Sequence, residues 1–446
     1  MKNSKNRLFS GLVTAGLVII IISLGIYGCK KTTDDPETAT HQGVKYIHST
    51  GITILSLKGS YYEMGLHYGS LMKDSLQKWA NYYNTTWKDA NPEAYDYVTS
   101  KILEVGNDLF LSDKIKDFLD GIVLTSELPK KDVYRLDQCL AFDYMFSGHI
   151  TIPKGAACTF AGAFGAATSN GHTLVARNLD LQRPLAVRNY NSVITIMHPS
   201  NGDHKVATLG FVGFPQGYAL INLDNSVFTE YNTANSADKG TDPDPGSRDM
   251  MDLAFDAITE KTNTNAQTTA EYLRTKRLLS PAFFGVADKG IVLVVQRAIH
   301  DTGVIANNSL GININGVTNV FLDSTIHKTK LNIYNASTGI NAPDSGLDTP
   351  ARGKVRWDNM AGYFKSHSSG LDINAMKTMI STDIGDGGVF IGGYEQEGTN
   401  TFCKTDATFG SVVLDLNDFS QLWWLRYDYA TKTKIWDNVD LSQYLN

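Results

Sequence analysis

Residues 154–180 read KGAACTFAGAFGAATSNGHTLVARNLD and concentrate the chain's chemistry. Cys158 stands between Ala157 and Thr159, and Arg177 and Asp180 follow it by 19 and 22 residues. A cysteine attacks acyl carbon as a thiolate, and near neutral pH it needs a partner to reach that state. Its own α-amino group is one such partner. Freed by cleavage of the preceding peptide bond, that amine has a reference pKa of roughly 7.7 to 8, suited to a general base. Ala156 and Ala157 put small side chains on the cleaved side, compatible with a tight turn that brings Sγ to the Ala157 carbonyl carbon. Asp180 then supplies an acceptor for the new ammonium, and Arg177 offsets negative charge on sulfur. Residues three apart on a strand fall on opposite faces, so a pocket shared by Arg177 and Asp180 demands a turn or bulge around Asn178-Leu179. A purely structural Arg177–Asp180 ion pair fits the same residue types.

The chain has 446 residues and four cysteines. Lys2, Lys5 and Arg7 precede an apolar run that closes at Gly28-Cys29, the order of an export signal. Ile26-Tyr27-Gly28-Cys29 resembles a lipoprotein signal, in which Cys29 is lipidated and becomes the mature N-terminus; an uncleaved membrane anchor is the alternative. Either places the remainder outside the cytoplasm, tethered to a membrane of the cell envelope. Residues 29–45 follow as a polar tether without apolar periodicity. That leaves Cys139, Cys158 and Cys403 in an oxidising compartment, so at least one thiol is unpaired. Cys139 and Cys403 read as buried cysteines or as partners of each other.

From Gly59 to about Met145 the periodicity is helical, with Met64, Leu66, Leu71, Met72, Leu76 and Trp79 at helical intervals. After Cys158 the texture turns to strands, in HTLVARNLDL, NSVITIMHP, HKVATLGFVGF, YALINLDNSVFTEYN and GIVLVVQRAI. Helices are expected in RDMMDLAFDAITEKT, TTAEYLRTKRLL and from Arg352 to about Ile380, and final strands in SVVLDLN and QLWWLRYDY. The expected organisation is an export signal at 1–28, the tether at 29–45, a helical segment at 46–157 and a β-rich segment at 158–446. No linker separates the last two, so they form one layered unit.

Net charge is −6 with no basic stripe, which argues against a nucleic-acid partner. The histidines lack metal-ligand spacing, and no phosphate loop or dinucleotide fingerprint is present, so neither metal nor cofactor is expected.

Cys158-Thr159, Asn170-Gly171-His172-Thr173 and Arg177-Asn178-Leu179-Asp180 together resemble the nucleophile region of the cysteine N-terminal-nucleophile hydrolases. That superfamily includes penicillin acyltransferases, penicillin V and bile-salt amidases, acid ceramidase and N-acylethanolamine acid amidase. The resemblance extends from about Gly59 to Tyr427. It takes in the glycine-punctuated helix start at Gly59-Ser60-Tyr61-Tyr62-Glu63-Met64-Gly65 and the asparagines Asn222 and Asn232. It also takes in Val317-Thr318-Asn319, and Thr349-Pro350-Ala351-Arg352 with Arg356 as a competing arginine. It implies an α+β fold, a four-layer αββα sandwich with the N-terminal, mostly helical segment packed on it. It also implies self-cleavage between Ala157 and Cys158. Cys158 would then be the nucleophile, Arg177 and Asp180 would position it and its amine, and Asn232 and Asn319 would hold the oxyanion. Arg352 would be a site arginine. The Cys158-to-Arg177 spacing exceeds that of ceramidase-like members by a few residues, which predicts an enlarged hairpin. The expected reaction is hydrolysis of a non-peptide amide in an N-acylated small molecule or lipid. Acyl transfer to another amine, ester or phospholipase-like hydrolysis, and a catalytically silent ligand-binding surface lipoprotein are the alternatives.

Overall fold

The computed structural model describes residues 43–90, 111–136, 156–181, 192–233, 247–278, 282–297, 303–318, 350–390, 407–428 and 433–445, with a few single residues beside them. Residues 42–446 belong to one compact unit. The signal, Cys29, Cys139, Asn319 and Cys403 lie outside the described residues. Among those described, no helix is long and apolar enough to cross a membrane.

The protein is mixed α+β, with helices on two sheets. The larger sheet contains β1 (Val44–Ile47), β2 (Thr53–Gly59), β5 (Ser192–Pro199), β6 (Val206–Phe211), β7 (Phe214–Asn222), β8 (Val227–Thr233), β9 (Ala282–Ala287), β10 (Val292–Arg297) and β11 (Val304–Ala306), side by side in that order. The smaller has the order β12-β3-β4-β13-β14-β15, formed by β3 (Ala156–Gly165), β4 (Gly171–Leu181), β12 (Ile314–Val317), β13 (Ala407–Asp415), β14 (Leu422–Asp428) and β15 (Thr433–Val439). All pairings are antiparallel except β2 with β5.

Strand alternation divides β3 and β4 between two environments. Cys158, Phe160, Val175 and Leu179 join the core shared with the larger sheet, where Phe160 stacks on Phe228 of β8 with centroids 6.0 Å apart. Ala161, Ala163, Leu174 and Ala176 pack instead with Met360, Phe364, Met379 and Ile380 of helices α6 (Pro350–Ser366) and α7 (Ile373–Ser381). Alanines on this face let the helices approach closely. The backbone carbonyl of Ile380 accepts a 2.9 Å hydrogen bond from Asn178 Nδ2 on β4.

The segment expected to be helical at 46–157 also supplies part of β1, all of β2 and the start of β3. Its helices are α1 (Tyr61–Leu71), α2 (Lys73–Tyr82), which runs into a π-helical turn at Tyr83–Trp87, and α3 (Asp113–Ser126). Ser60 and Glu63 close a reciprocal capping box at the start of α1, satisfying two otherwise orphaned N–H donors. A Cβ at Gly65 would lie 2.0 Å from the Phe118 carbonyl oxygen of α3, so the glycine is required by helix–helix contact. α4 (Met250–Thr259) and α5 (Ala266–Thr275) pack on the larger sheet, α4 against β7 and β8 and α5 against β9 and β10.

Candidate active site

Cys158 is the third residue of β3 and is fully buried; Leu179 of β4 pairs opposite it. Arg177, two residues before Leu179, therefore points to the same face, and its Nη2 lies 3.5 Å from Cys158 Sγ. The guanidinium is held on every edge. Its Nε pairs with Glu230 Oε2 at 3.0 Å, Nη1 donates to the Asn178 carbonyl at 2.6 Å, and Nη2 donates to the Tyr231 carbonyl at 2.6 Å.

Glu230 was not among the residues singled out from the sequence, although a signal was present. Phe228, Glu230 and Asn232 alternate along β8, and Phe228 faces the smaller sheet, so a site-facing Asn232 carries Glu230 with it. Burial pushes the Glu230 carboxyl up to about 7, against the opposing pull of Arg177 and of the Gly285 N–H, which donates to Oε1 at 2.8 Å. With its amide nitrogen turned toward the acceptors around it, Asn232 donates to Glu230 Oε2 at 2.8 Å and to the Tyr231 carbonyl at 3.1 Å. The Asn232 amide nitrogen thus faces one carboxylate oxygen of Glu230 and the carbonyl of Tyr231. Asn222 closes the β7–β8 turn, its Oδ1 accepting from the N–H groups of Asp224 and Asn225 at 3.0 Å each.

The anticipated break at Asn178-Leu179 is absent. β4 pairs with β3 without interruption from Leu181 back to Leu174, and the irregularity falls on the neighbouring strand, between Thr408 and Gly410 of β13. Asp180 consequently lies on the opposite face from Arg177; it pairs with Arg356, and Arg177 pairs with Glu230, rather than the two with each other. Asp180 pairs across the ladder with Ala157, the residue before Cys158. Its Oδ1 accepts from Thr408 Oγ1 at 2.7 Å and its Oδ2 lies 3.5 Å from Arg356 Nη1. β3 and β4 have 10 and 11 residues and are joined through residues 166–170.

Between the two competing arginines, the structure brings Arg356 to the site. Its Nη1 donates to the Cys158 carbonyl at 2.6 Å and to Thr159 Oγ1 at 3.0 Å, and the side chain is fully buried. Arg352 lies one turn earlier on α6, and its side chain is outside the described set, as is the whole of Asn319. Thr318, just before Asn319, donates through Oγ1 to the Gly353 carbonyl at 2.9 Å and ties the end of β12 to α6.

No family model and no curated protein matches this chain, so the site must be read from its own geometry. In the uncut chain burial pushes the Cys158 thiol up. Arg177 opposes that shift, while Asp180 and Glu230 add to it. The thiol is therefore neutral while the Ala157–Cys158 bond is intact. A cation touches the sulfur, an acid and its amide partner stand behind that cation, and a separate Arg–Asp–Thr group holds the backbone around one peptide bond. Such an arrangement suits nucleophilic attack on an acyl carbon whose position is fixed beforehand. Among the described residues, no group of three or more His, Cys, Asp or Glu is placed to hold a metal ion.

Proposed function

We propose that this chain is an exported, lipid-tethered amidase of the cysteine N-terminal-nucleophile class, with the αββα sandwich of that class. It cuts itself before Cys158 and then hydrolyses the amide of an N-acylated small molecule or lipid. The observation that carries the reading is Arg177 Nη2 at 3.5 Å from Sγ, in a site where Asp180 stands across the ladder from Ala157.

In maturation, Cys158 Sγ attacks the Ala157 carbonyl carbon, the C–N bond to Cys158 breaks, and the thiol proton ends on the departing nitrogen. Water hydrolyses the resulting thioester, leaving a carboxylate on Ala157 and a free amine and thiol on Cys158. Arg356, bonded to the Cys158 carbonyl, keeps the new first residue in place once its covalent tie is gone. Asp180 is positioned to receive the new ammonium.

In turnover, the α-amine takes the thiol proton, the thiolate adds to the substrate carbonyl, and the amine returns the proton to the leaving nitrogen. Water then releases the acyl group from sulfur. Arg177 stabilises the thiolate. Asn319 is assigned the oxyanion, Asn232 being committed to Glu230. Export and lipidation at Cys29 are part of the same proposal and would place the site outside the cytoplasm, tethered to a membrane of the cell envelope.

The test is the protein purified from its native compartment. Wild type should run as two fragments, the larger starting at Cys158, and should release free acyl groups from members of a panel of N-acyl amides. Cys158→Ala should stay one chain and be inactive. A wild-type chain that turns over while uncut, or a Cys158→Ala variant that retains activity, removes the proposal; faster cleavage of esters carrying the same acyl chain redirects it.

A further inference from the structure

Two phenol rings lie against the Arg177 guanidinium. Its Cζ is 5.4 Å from the ring centroid of Tyr218 on β7 and 5.7 Å from that of Tyr231 on β8. The ion pair of Arg177 with Glu230 and its hydrogen bonds to the Asn178 and Tyr231 carbonyls fix the edges of a planar group. Contacts of that kind aim the fork but resist poorly a swing out of its plane. The rings supply that restraint, and aromatic faces attract cations, most strongly where water is excluded.

Tyr218 is itself held on several sides. It stacks on Phe211 with centroids 5.5 Å apart and meets Trp424 of the smaller sheet edge-on at 6.1 Å. The Tyr231 hydroxyl donates to the carbonyl of the adjacent Gly217 at 2.7 Å, which locks the two aromatic residues to each other. A Cβ at Gly410 would lie 2.7 Å from the Tyr218 hydroxyl, so the missing side chain beside the β13 irregularity makes room for the phenol. Yet that hydroxyl, fully buried, has no hydrogen-bond partner among the described residues. Leaving a buried hydroxyl unpaired is unfavourable, so the site retains this ring despite its hydroxyl.

We propose that Tyr218 is a positioning residue whose ring face holds the Arg177 guanidinium against Cys158 Sγ. The inference rests on Cys158 being the nucleophile. The charged and titratable groups around that sulfur are Arg177 and Asp180 on β4, Glu230 and Tyr231 on β8, with Asp249 beyond Tyr231, and Arg356 on α6. Of these, Arg177 is the cation that touches sulfur, and Tyr218 bears on the site through it.

The experiment compares Tyr218→Phe, which keeps the ring, with Tyr218→Leu, which removes it. Phe211→Leu serves as a control that loosens the aromatic packing on Tyr218 while leaving the Tyr218 ring in place. Two readouts are taken on folded, fully self-cleaved protein with both fragments present: the pH profile of kcat/KM, and the Cys158 titration followed by the 13Cβ signal of labelled cysteine. Tyr218→Phe should match wild type in both and be at least as thermostable. Tyr218→Leu should raise the thiol pKa by about one unit, move the acid limb of the profile up by the same amount and lower kcat/KM below the limb roughly tenfold, with KM nearly unchanged. Phe211→Leu should lose stability and leave the titration in place. If Tyr218→Leu does not fold, Tyr218→Met replaces it. An unshifted titration in the ringless variant overturns the proposal, as does a Tyr218→Phe shift equal to that of Tyr218→Leu, which would assign the function to the hydroxyl. If the titration shifts while Cys158→Ala keeps full activity, the nucleophile reading fails and the positioning of Arg177 stands.

Discussion

The two faces of the β3–β4 hairpin hold one residue in two ways. On the face toward the larger sheet, the sulfur of Cys158 meets Arg177, with Glu230, Asn232 and two phenols behind it. On the face toward α6 and α7, the carbonyl of the same residue meets Arg356, with Asp180 and Thr408 behind that. Each face has a buried arginine and a buried carboxylate, yet one pair addresses a side chain and the other a main chain. The separation lets thiol electrostatics and backbone placement be set by different residues.

Arg356→Met should be the most disruptive break in that comparison. It strips a buried cation from Asp180 and a donor from the Cys158 carbonyl, and loss of one partner of a buried pair typically costs about 3–5 kcal/mol. Chemical denaturation should show that loss, and self-cleavage of the folded fraction should slow.

On the opposite face, Glu230→Gln should change the pH dependence of stability. The Glu230 carboxyl is raised from 4.5 to about 7, so the folded chain favours its protonated form. The associated stabilisation is complete below pH 4.5 and is lost as pH rises through 7, a span worth about 3 kcal/mol. Thermal unfolding across pH 4.5–8 should show wild type losing stability on the alkaline side, while the Gln variant, which keeps the hydrogen bond from Gly285, stays nearly flat. A parallel pH dependence in the two proteins would mean that Arg177 holds the carboxylate ionised throughout.

Asp180→Asn sharpens the contrast with a smaller energy and a more selective outcome. Shape and the Thr408 hydrogen bond are nearly preserved, whereas the charge intended for the new ammonium is lost. Turnover of fully processed protein should fall on the order of a hundredfold, about 2.7 kcal/mol, with thermal stability little changed. Equal turnover would leave Asp180 as a structural partner of Arg356 alone.

The cluster around Cys158 was legible in the sequence through residue type, but not through geometry. Cys158 and Arg177 stood out as chemistry, and the period of a strand argued that Asp180 could share their pocket only through a break. The chain instead uses both faces of an unbroken ladder, an option that local spacing does not reveal because it depends on α6 arriving from almost two hundred residues away with Arg356. Glu230 lay hidden as an acidic residue in a strand and emerges only once Phe228 fixes the inward parity of β8. β3 escaped because its run of Ala and Gly lacks the β-branched and aromatic residues that mark strands; the same small residues admit α6 and α7. β9, AFFGVA, takes its place in the larger sheet from β8 and β10 on either side.

The parallel pairing of β2 with β5 has a consequence for the life of a cut molecule. Residues before Cys158 own β1 and β2, and among the described strands of that sheet it is β5 that pairs them with the longer piece. After cleavage the shorter piece is a separate polypeptide whose strands complete a sheet mostly owned by the longer one. An intact chain refolds in a first-order process, whereas the two pieces must find each other, so recovery becomes dependent on concentration. Maturation would therefore make folding a one-time event. Dilution from denaturant should leave uncut Cys158→Ala able to return to its native state at concentrations where the cut wild type no longer can.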